Sequence, residues 1–400
     1  MMTVEDAQQK ILAALAPLPS ESVPLAAAHG RILAAPPLAA VDLPGFDNSA
    51  MDGYAVRTED VAGAGAASPV RLQLMGQVAA GDFFLGTVTA GHCVRIFTGS
   101  PLPAGADAVV MQEDTRAAAD GAVEILDRVR AGENVRLQGE DARRGSPVGV
   151  VGERISAGRI GLLAASGVVE VRAGRRPVTG LLATGNELRE AGAILGRGEI
   201  FESNRAMLAP LVTAAGGVVK IYPLVPDTMA ATRAALARAL TECDVVITTG
   251  GVSVGTLDFV KAAWTELGGT VEFWRVAMKP GKPFAFGQRD GRSWFGLPGN
   301  PVSALVTFLL LARPALLKLQ GATELLLPSH PAVLTEALAN RGDRRHFVRV
   351  RVDEAGRARS AGTQASHFLS SAAAANGLIE VAPGASLAAG ETAQVLRWEW

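Results

Sequence analysis

The 400-residue sequence has few cysteines and histidines and almost no excess of charge of either sign. Its two cysteines, Cys93 and Cys243, cannot form a disulfide framework and neither lies in a CxxC motif, which excludes a cysteine-rich zinc site and is typical of a reducing compartment. The net charge of −1 gives no basic field that would favour nucleic acid. The five histidines lack metal-ligand spacing, and no nucleophilic serine or cysteine motif supports a hydrolase triad.

Long hydrophobic segments are also missing. The longest strongly apolar run, 302–312, ends at Arg313 and Pro314 and is shorter than the roughly 20 residues that a membrane-spanning helix needs. The N-terminal segment is acidic and amphipathic, unlike a signal peptide. The sequence therefore predicts a cytoplasmic protein that binds neither membrane nor nucleic acid.

What the sequence does contain is enough apolar material for packed cores, at 48% hydrophobic residues, and a length that predicts two or more domains. Apolar residues at helical spacing predict a helix over residues 4–15 with Thr3 as its N-cap, and a second helical pattern at 154–167 is expected to pack with it. Strand-like segments between Gly/Pro turns over residues 55–150 predict a β-rich domain inserted into this small helical domain. From residue 176, strands alternate with helices of 10–15 residues, which predicts a doubly wound α/β domain with a parallel sheet. Short alternating strands follow. The predicted limits are 1–44 with 146–175 (helical), 45–145 (β-rich), 176–326 (α/β) and 327–400 (β).

Ligands of doubly wound sheets bind beyond the carboxyl ends of the strands, so the loops at those positions are candidate binding sites. In TTGGVSVGTLD, Gly250, Gly251 and Gly255 precede a helix, an arrangement that favours phosphate or another oxyanion. Thr256 follows Gly255, so this is not a Walker A loop, and the absence of GxGxxG disfavours a nicotinamide enzyme. An ordinary strand-to-helix turn is the alternative interpretation.

Positive charge is concentrated at two further places. Two of only six lysines, Lys279 and Lys282, lie in the stiff loop MKPGKP, where two ammonium groups suit a multiply charged anion. In HFVRVRV, the strand period of two places Phe347, Arg349 and Arg351 on one face. For that face, the pattern alone favours a solvated surface over an anion site.

Five carboxylates lie in Gly-rich or Pro-flanked loops: Asp52, Asp141, Glu187, Asp227 and Asp258. Each alone could be a turn or cap residue. Carboxylates around phosphate oxygens repel them unless a hard cation such as Mg²⁺ bridges the two. Their collective placement therefore predicts a magnesium-dependent phosphate site.

Taken together, these loops resemble the MoeA-type molybdopterin molybdenumtransferases, a family to which the E domain of gephyrin is related. The matching segments are DNSAMDGYAVR (47–57), IFTGSPLPAGADAVVMQED (96–114), GED (139–141), TGNEL (184–188), SN (203–204), TTGGVSVGTLDFV (248–260), MKPGKPFAFG (278–287), GLPGNPVSA (296–304) and SHFLSS (366–371). They follow the family's order from one end of the chain to the other.

The resemblance implies an elongated homodimer of four-domain subunits, ending in a β barrel, with an active site across the subunit boundary. It implies an enzyme that takes molybdopterin-adenylate and molybdate as substrates, cleaves the pyrophosphate bond with release of AMP, and inserts molybdenum with Mg²⁺ as cofactor. A water molecule or a molybdate oxygen could be the attacking group. Molybdopterin adenylyltransferase and molybdoenzyme maturation proteins are possible partners.

The resemblance also implies residue roles. Asp227, Asp258 and Glu187 would act at the Mg²⁺ and pterin-nucleotide site, Lys279 would neutralise phosphate charge, and Asp52, Thr98 and Asp141 would reach the partner subunit's cleft. The substrate and molybdate would contact Gly250, Gly251, Ser253, Gly255, Lys282, Pro283, Pro298, Ser303, Arg349 and one of Ser370 and Ser371. The chain departs from the family pattern at Thr228 and Thr256, where relatives often carry acidic residues.

Three alternatives stay open beside a molybdenum insertase. Adenylyl transfer to molybdopterin is disfavoured because sister adenylyltransferases consist of the α/β domain alone. A scaffold is disfavoured because the 400 residues show no linker or fused partner domain. Tungstate in place of molybdate is harder to dismiss, since the two oxyanions have nearly the same size and charge.

Overall fold

The computed structural model describes residues 1–251 and 259–398. The sheet of the α/β domain has six strands in the spatial order Val218–Ile221, Val178–Ala183, Val245–Thr249, Arg292–Leu297, Ala285–Arg289 and Thr270–Trp274. The first four strands run parallel, and the last two are antiparallel to their neighbours. The doubly wound α/β domain is confirmed, but the prediction of a parallel sheet is wrong at this edge.

A two-residue turn explains the antiparallel edge. Asp290 and Gly291 both have positive φ values, of 48° and 74°, and they connect the strands Ala285–Arg289 and Arg292–Leu297. Asp-Gly is a preferred pair for hairpin turns in which both central residues have positive φ. A connection this short can only join antiparallel strands.

Helices cover both faces of the sheet and create two cores. Successive residues of one strand, Leu181 and Leu182, point into different cores, as expected for a strand buried on both faces. One core contains residues of the helices Asn204–Ala214 and Pro301–Leu319. The other contains residues of the helices Met229–Glu242 and Phe259–Glu266.

The helix Pro301–Leu319 is α-helical at Pro301–Thr307 and Arg313–Leu319 and π-helical at Phe308–Ala312. Pro314 has no N–H for the carbonyl of Leu310, and that carbonyl instead accepts a hydrogen bond of 2.9 Å from Gln8 Nε2. By length and apolar composition this helix could cross a membrane. Since 89% of its most apolar window is buried inside the protein, it is a core helix here.

The first helix, Val4–Ala13, packs on this α/β core. Its N-cap Thr3 accepts a hydrogen bond of 3.1 Å from the backbone N–H of Asp6, as the sequence predicts. Val4 and Ile11 lie in the same core as the helix Pro301–Leu319. The expectation that this helix packs with segment 154–167 is therefore wrong.

Two regions precede the α/β domain. In the first, the helix Ala157–Ala165 packs with an antiparallel pair, Ser20–Pro24 and Glu170–Gly174, around its own core. The inserted region is a six-stranded sheet in the order Ala108–Met111, Gly53–Val56, His92–Ile96, Val70–Val78, Ala122–Ile125 and Thr115–Ala117. Smaller elements of the inserted region are the helix Thr58–Val61, the 3-10 turn Gln112–Asp114 and the pair Asn48–Ser49 with Val135–Arg136.

The C-terminal region is a closed barrel of five strands, as predicted. The strands are, in spatial order, Arg345–Val352, Arg357–Ser360, Ser329–Leu334, Thr392–Arg397 and Gly377–Val381, and the last pairs again with the first. A short strand from the α/β region, Met278–Lys279, pairs in parallel with Arg345–Val352. The exact domain limits stay a prediction.

Candidate active-site cleft

A cleft of about 620 Å³ opens beyond the carboxyl ends of the parallel strands. Five residues predicted as site residues line it: Glu187, Gly250, Gly251, Pro283 and Pro298. The other lining residues are Thr184, Leu188, Ile200, Phe201, Glu202, Ser203, Asn204, Thr249, Gly299, Asn300, Pro301, His367 and Leu369. His367 and Leu369 come from the C-terminal region, so the cleft lies between the α/β domain and the tail.

The strand order explains why a cleft forms here. The strand Val178–Ala183 has the next two strands of the same sheet on opposite sides, Val218–Ile221 on one and Val245–Thr249 on the other. The loops that leave neighbouring strands at such a switch point diverge and leave a crevice. Thr184 and Gly250 follow two of these strands directly, and both line the cleft.

The floor of the cleft requires glycine at two successive positions. Gly250 and Gly251 have positive φ values of 81° and 63°. A Cβ on Gly250 would lie 2.7 Å from the Thr184 carbonyl oxygen, and one on Gly251 would lie 2.4 Å from Val260 Cγ2. Glycine is therefore needed both for the backbone conformation and for the close approach of the neighbouring groups.

Two buried polar atoms in the cleft wall have no hydrogen-bond partner among the described residues. They are Thr184 Oγ1 and Asn204 Oδ1, and each residue is only 8% exposed. Buried polar atoms in native proteins nearly always have partners, and an unmade bond costs about 1–3 kcal/mol. These atoms point to a ligand that completes their hydrogen bonds.

A reciprocal hydrogen-bonded pair joins two acidic loops beside the cleft. The backbone N–H of Asn186 donates to Asp227 Oδ2 at 3.1 Å, and the backbone N–H of Asp227 donates to Asn186 Oδ1 at 3.0 Å. Glu187 follows Asn186 and is exposed. The structure thus brings the loops of Glu187 and Asp227 together. Thr228, one of the two departures from the family pattern, caps the next helix by accepting from the N–H of Ala231.

Arg349 is fully buried, so the interpretation of its strand face as solvated is wrong at this residue. Its Nε donates to Ser371 Oγ at 2.9 Å, and Nη2 donates to the carbonyl oxygens of Thr363 and Ala365. Nη1 is buried without a partner in the described part of the chain. Burial lowers the pKa of Arg349 to about 10. Of the two tail serines, Ser371 is thus the buried one that contacts Arg349, whereas Ser370 is exposed.

The loop that carries Lys279 and Lys282 lies between the sheet and the barrel. Both lysines are exposed, and neither is among the described residues that line the cleft. Gly281 between them has a φ of 111°, and a Cβ there would lie 2.5 Å from Thr307 Cγ2. Ser303, one turn before Thr307 in the same helix, is buried and also lies outside the described lining.

The predicted residues of the inserted region are not in this cleft, as far as the described lining shows. Asp52 Oδ1 accepts hydrogen bonds of 2.8 Å from both the N–H and the Oγ1–H of Thr98, and these bonds lower the pKa of Asp52. Asp141 is exposed. Ser253, Gly255, Thr256 and Asp258 fall outside the described residues.

Sequence reasoning named no role for three polar residues of the cleft, Thr184, Asn204 and His367, whereas the rule for strand ends includes Asn300. Asn300 Nδ2 donates to Ser366 Oγ at 3.0 Å and so holds the tail at the start of the helix Pro301–Thr307. A usable signal existed for Thr184 as well, since it directly follows the buried strand Val178–Ala183 at the carboxyl edge of the sheet. For Asn204, the pattern gave only a helix start.

Comparison with known proteins identifies the family. Three family models match the chain: the MoeA N-terminal region (domain I and II) at residues 2–167, the probable molybdopterin binding domain at 180–318, and the MoeA C-terminal region (domain IV) at 331–398. A molybdopterin molybdenumtransferase of Haemophilus influenzae is 38% identical over 99% of this chain and 98% of its own length. Molybdopterin molybdenumtransferase 2 of Mycobacterium tuberculosis is also 38% identical, over 95% of both chains.

The fold agrees with a solved relative. The crystal structure of the molybdopterin biosynthesis MoeA protein from Pyrococcus horikoshii OT3 superposes with a TM-score of 0.88 at 29% identity, over 100% of both chains. Sequence and fold thus match over the whole length, through each of the three regions. The chain belongs to the MoeA family.

Proposed function

We propose that this chain is an enzyme that transfers molybdenum to molybdopterin, the activity for which its relatives are named. The observation that carries the proposal is the cleft at the switch point of the sheet, within the region similar to molybdopterin-binding domains. Its wall has two buried polar atoms without a partner among residues 1–251 and 259–398, and its floor is made of glycines that pack closely against Thr184 and Val260. These are features of a small-molecule site.

The finer proposal is that the pterin arrives as its adenylate, that molybdate supplies the metal, and that AMP leaves. An oxygen nucleophile cleaves the pyrophosphate bond. Negative charge then builds on the phosphate oxygens, and cationic groups nearby stabilise that charge. Lys279 and Lys282 are exposed ammonium groups in a loop held between sheet and barrel, where their long side chains have room to turn towards a bound anion. Arg349, whose Nη1 has no partner among the residues that the structure describes and whose Nε donates to Ser371, would bind molybdate.

The carboxylates of Glu187 and Asp227 fit a magnesium ion of the substrate-bridging kind. Among residues 1–251 and 259–398, no group of three or more His, Cys, Asp or Glu side chains could hold a metal by itself. Mg²⁺ needs only one or two carboxylates when substrate phosphate and water complete its six oxygen ligands. Asp227 uses Oδ2 for the N–H of Asn186, which orients its second oxygen. The ion would supply charge neutralisation at the pyrophosphate.

We further propose that two subunits combine to form the working site in the cytoplasm. In this arrangement the Asp52–Thr98 pair and the exposed Asp141 of one subunit approach the cleft of the other. The pair is rigid because one carboxylate oxygen accepts two hydrogen bonds from a single residue. An adenylyltransferase that delivers the substrate and a maturation protein that receives the product are the partners this reaction would require.

The proposal is tested by reconstitution. Purified protein is mixed with adenylylated molybdopterin, Mg²⁺ and either molybdate or tungstate, and AMP and metal-loaded pterin are quantified. We expect both products in stoichiometric amounts with molybdate. Absence of metal-loaded pterin at saturating substrate would contradict the function. AMP release with tungstate loading preferred over molybdate would instead correct the metal.

A further inference from the structure

The orientation of the Asn204 side-chain amide is fixed by its neighbour in the cleft. One end of the amide lies 2.8 Å from the carbonyl oxygen of Gly299. A carbonyl oxygen can only accept a hydrogen bond, so the atom facing it is the NH₂ group, Nδ2. The other end is then Oδ1, which can only accept. The amide is therefore anchored through its own nitrogen and leaves an acceptor, Oδ1, in a residue that lines the cleft.

This acceptor is buried and unsatisfied. Asn204 is 8% exposed, it lines the cleft, and Oδ1 has no hydrogen-bond partner in the described part of the chain. Its place at the first residue of the helix Asn204–Ala214 fixes its backbone. A group that binds here must supply an N–H or O–H, because an acceptor facing a second acceptor gains nothing and repels it.

The charge around Asn204 argues against an oxyanion at this wall. The described lining of the cleft contains the carboxylates of Glu187 and Glu202 and no lysine or arginine. Glu202 is buried and is held by Arg205, whose N–H and Nε donate to its two oxygens at 2.8 Å and 3.0 Å. The charge of Glu202 is thus balanced by Arg205, and Glu187 is the other carboxylate of the described lining. Phosphate or molybdate, which present only acceptors when fully ionised, would meet the charge of Glu187 and an acceptor at Asn204.

We propose that Asn204 Oδ1 accepts a hydrogen bond from an N–H or O–H of the substrate's heterocycle or sugar, so that this wall binds the donor-bearing end of the substrate and not its oxyanions. The inference rests on the proposed function and adds an orientation to it. Two parts of the substrate carry such donors, namely the pterin and the adenosine moiety. Both satisfy the same chemistry, and the experiment separates them.

The test measures the affinity of pterin, AMP and inorganic phosphate for the wild-type protein, Asn204→Ala and Asn204→Asp by isothermal titration. In N204A we expect the affinity for either pterin or AMP to fall about tenfold, as for the loss of one hydrogen bond in a buried site, with phosphate affinity unchanged. Whichever ligand weakens identifies the moiety that Asn204 contacts. Unchanged affinity for both, or a loss for phosphate alone, would overturn the inference.

The aspartate variant separates contact with the substrate from support of the loop. N204D keeps an acceptor but cannot donate to the carbonyl of Gly299. If N204D binds the affected ligand, pterin or AMP, more tightly than N204A does, Oδ1 accepts a hydrogen bond directly from that ligand. If the two variants lose the same affinity, Asn204 acts by holding Gly299, and the inference is overturned.

A matched control is Asn376→Ala in the barrel, where both ends of the amide bond the backbone of Val352. It tests whether destabilisation alone weakens binding, and we expect unchanged affinities. A loss in N376A equal to that in N204A would count against the inference. If the wild-type protein binds neither pterin nor AMP, the proposed function fails and the inference with it; equal binding by wild type and N204A refutes the inference alone.

Discussion

Replacement of Arg349 by methionine should weaken molybdate binding strongly while leaving the barrel folded. Arg349 has 0% exposure, and its Nη1 has no partner among the described residues. With a pKa of about 10, it keeps its charge at neutral pH in spite of burial. A bound oxyanion would accept from Nη1, and a hydrogen bond to a charged group contributes about 1.5–3 kcal/mol. That range corresponds to a roughly 10- to 150-fold increase in the molybdate dissociation constant.

The assay is a molybdate titration followed by calorimetry or by the shift in melting temperature. Wild type should be stabilised by molybdate, by about 2.7 kcal/mol at a concentration of 100 times the dissociation constant, and R349M should require far more molybdate for the same shift. Methionine is chosen because it fills similar space without charge. Melting without molybdate reports whether the barrel itself is intact.

Arg351→Met is the matched control. Arg351 lies two residues further along the same strand, on the same face, but is exposed. It carries the same charge, so a general electrostatic effect would appear in both variants. If R349M retains the wild-type molybdate dependence, or R351M loses as much affinity as R349M, the assignment of Arg349 to the oxyanion is refuted.

Three further changes test the lysine loop at Gly281, the Asp52–Thr98 pair and the metal site at Asp227. Gly281→Ala should lower the free energy of unfolding by about 2–4 kcal/mol in urea, because φ is 111° and the new Cβ would lie 2.5 Å from Thr307 Cγ2. Asp52→Asn should remove the part of the pH dependence of the unfolding free energy that comes from this carboxyl group. The two hydrogen bonds from Thr98 hold the folded-state pKa of Asp52 below its ordinary value of 3.8, so their stabilisation is complete above that value and is lost as pH falls through the folded pKa. Asp227→Asn should raise the Mg²⁺ concentration for half-maximal AMP release by about tenfold or more, since a charged ligand becomes neutral.

Control variants accompany the Gly281 and Asp227 changes, and a comparison of unfolding curves checks the Asp52 change. Gly161 lies inside the helix Ala157–Ala165, and a Cβ added there would have no neighbour within 4 Å among the described residues outside the helix's own backbone. Gly161→Ala should therefore stabilise the protein by about 0.5–1 kcal/mol, and a loss as large as in G281A would contradict the steric argument. Parallel acid-unfolding curves for wild type and D52N would contradict the role of Thr98. Asp343→Asn removes a charge from an exposed barrel loop and should leave the Mg²⁺ requirement unchanged.

The sequence predicted the fold class because its patterns are local. Strand–helix alternation, short β segments and the cap at Thr3 each depend on a few neighbouring residues. The antiparallel edge was also encoded locally, in the Asp290–Gly291 turn, but the alternation of strands and helices around it favoured a parallel interpretation. The docking of the first helix was not encoded locally, because it depends on which apolar face lies free on a distant helix.

The candidate site was predictable only where it follows the ends of strands. Gly250 and Pro298 directly follow the parallel strands that end at Thr249 and Leu297, whose carboxyl ends converge on the cleft, whereas Pro283 was named by the family resemblance. Arg349 was placed on the correct face, but a period of two does not tell which face another segment covers; here the tail at 363–371 covers it. The unpaired oxygen of Asn204 depends on a contact with Gly299, 95 residues away, and no sequence pattern reveals such a contact.

The pairing of Met278–Lys279 with the first barrel strand is one of several contacts that hold the barrel against the α/β domain. Arg344 Nη1 donates to the carbonyl oxygen of Met278 at 3.0 Å, and Ser366 of the tail accepts from Asn300. Phe347 and Leu378 of the barrel lie in the same core as the helix Pro301–Leu319. The barrel therefore acts as a brace for the lysine turn, so a substitution in the strand Arg345–Val352 can displace Lys279 without any change in the α/β domain.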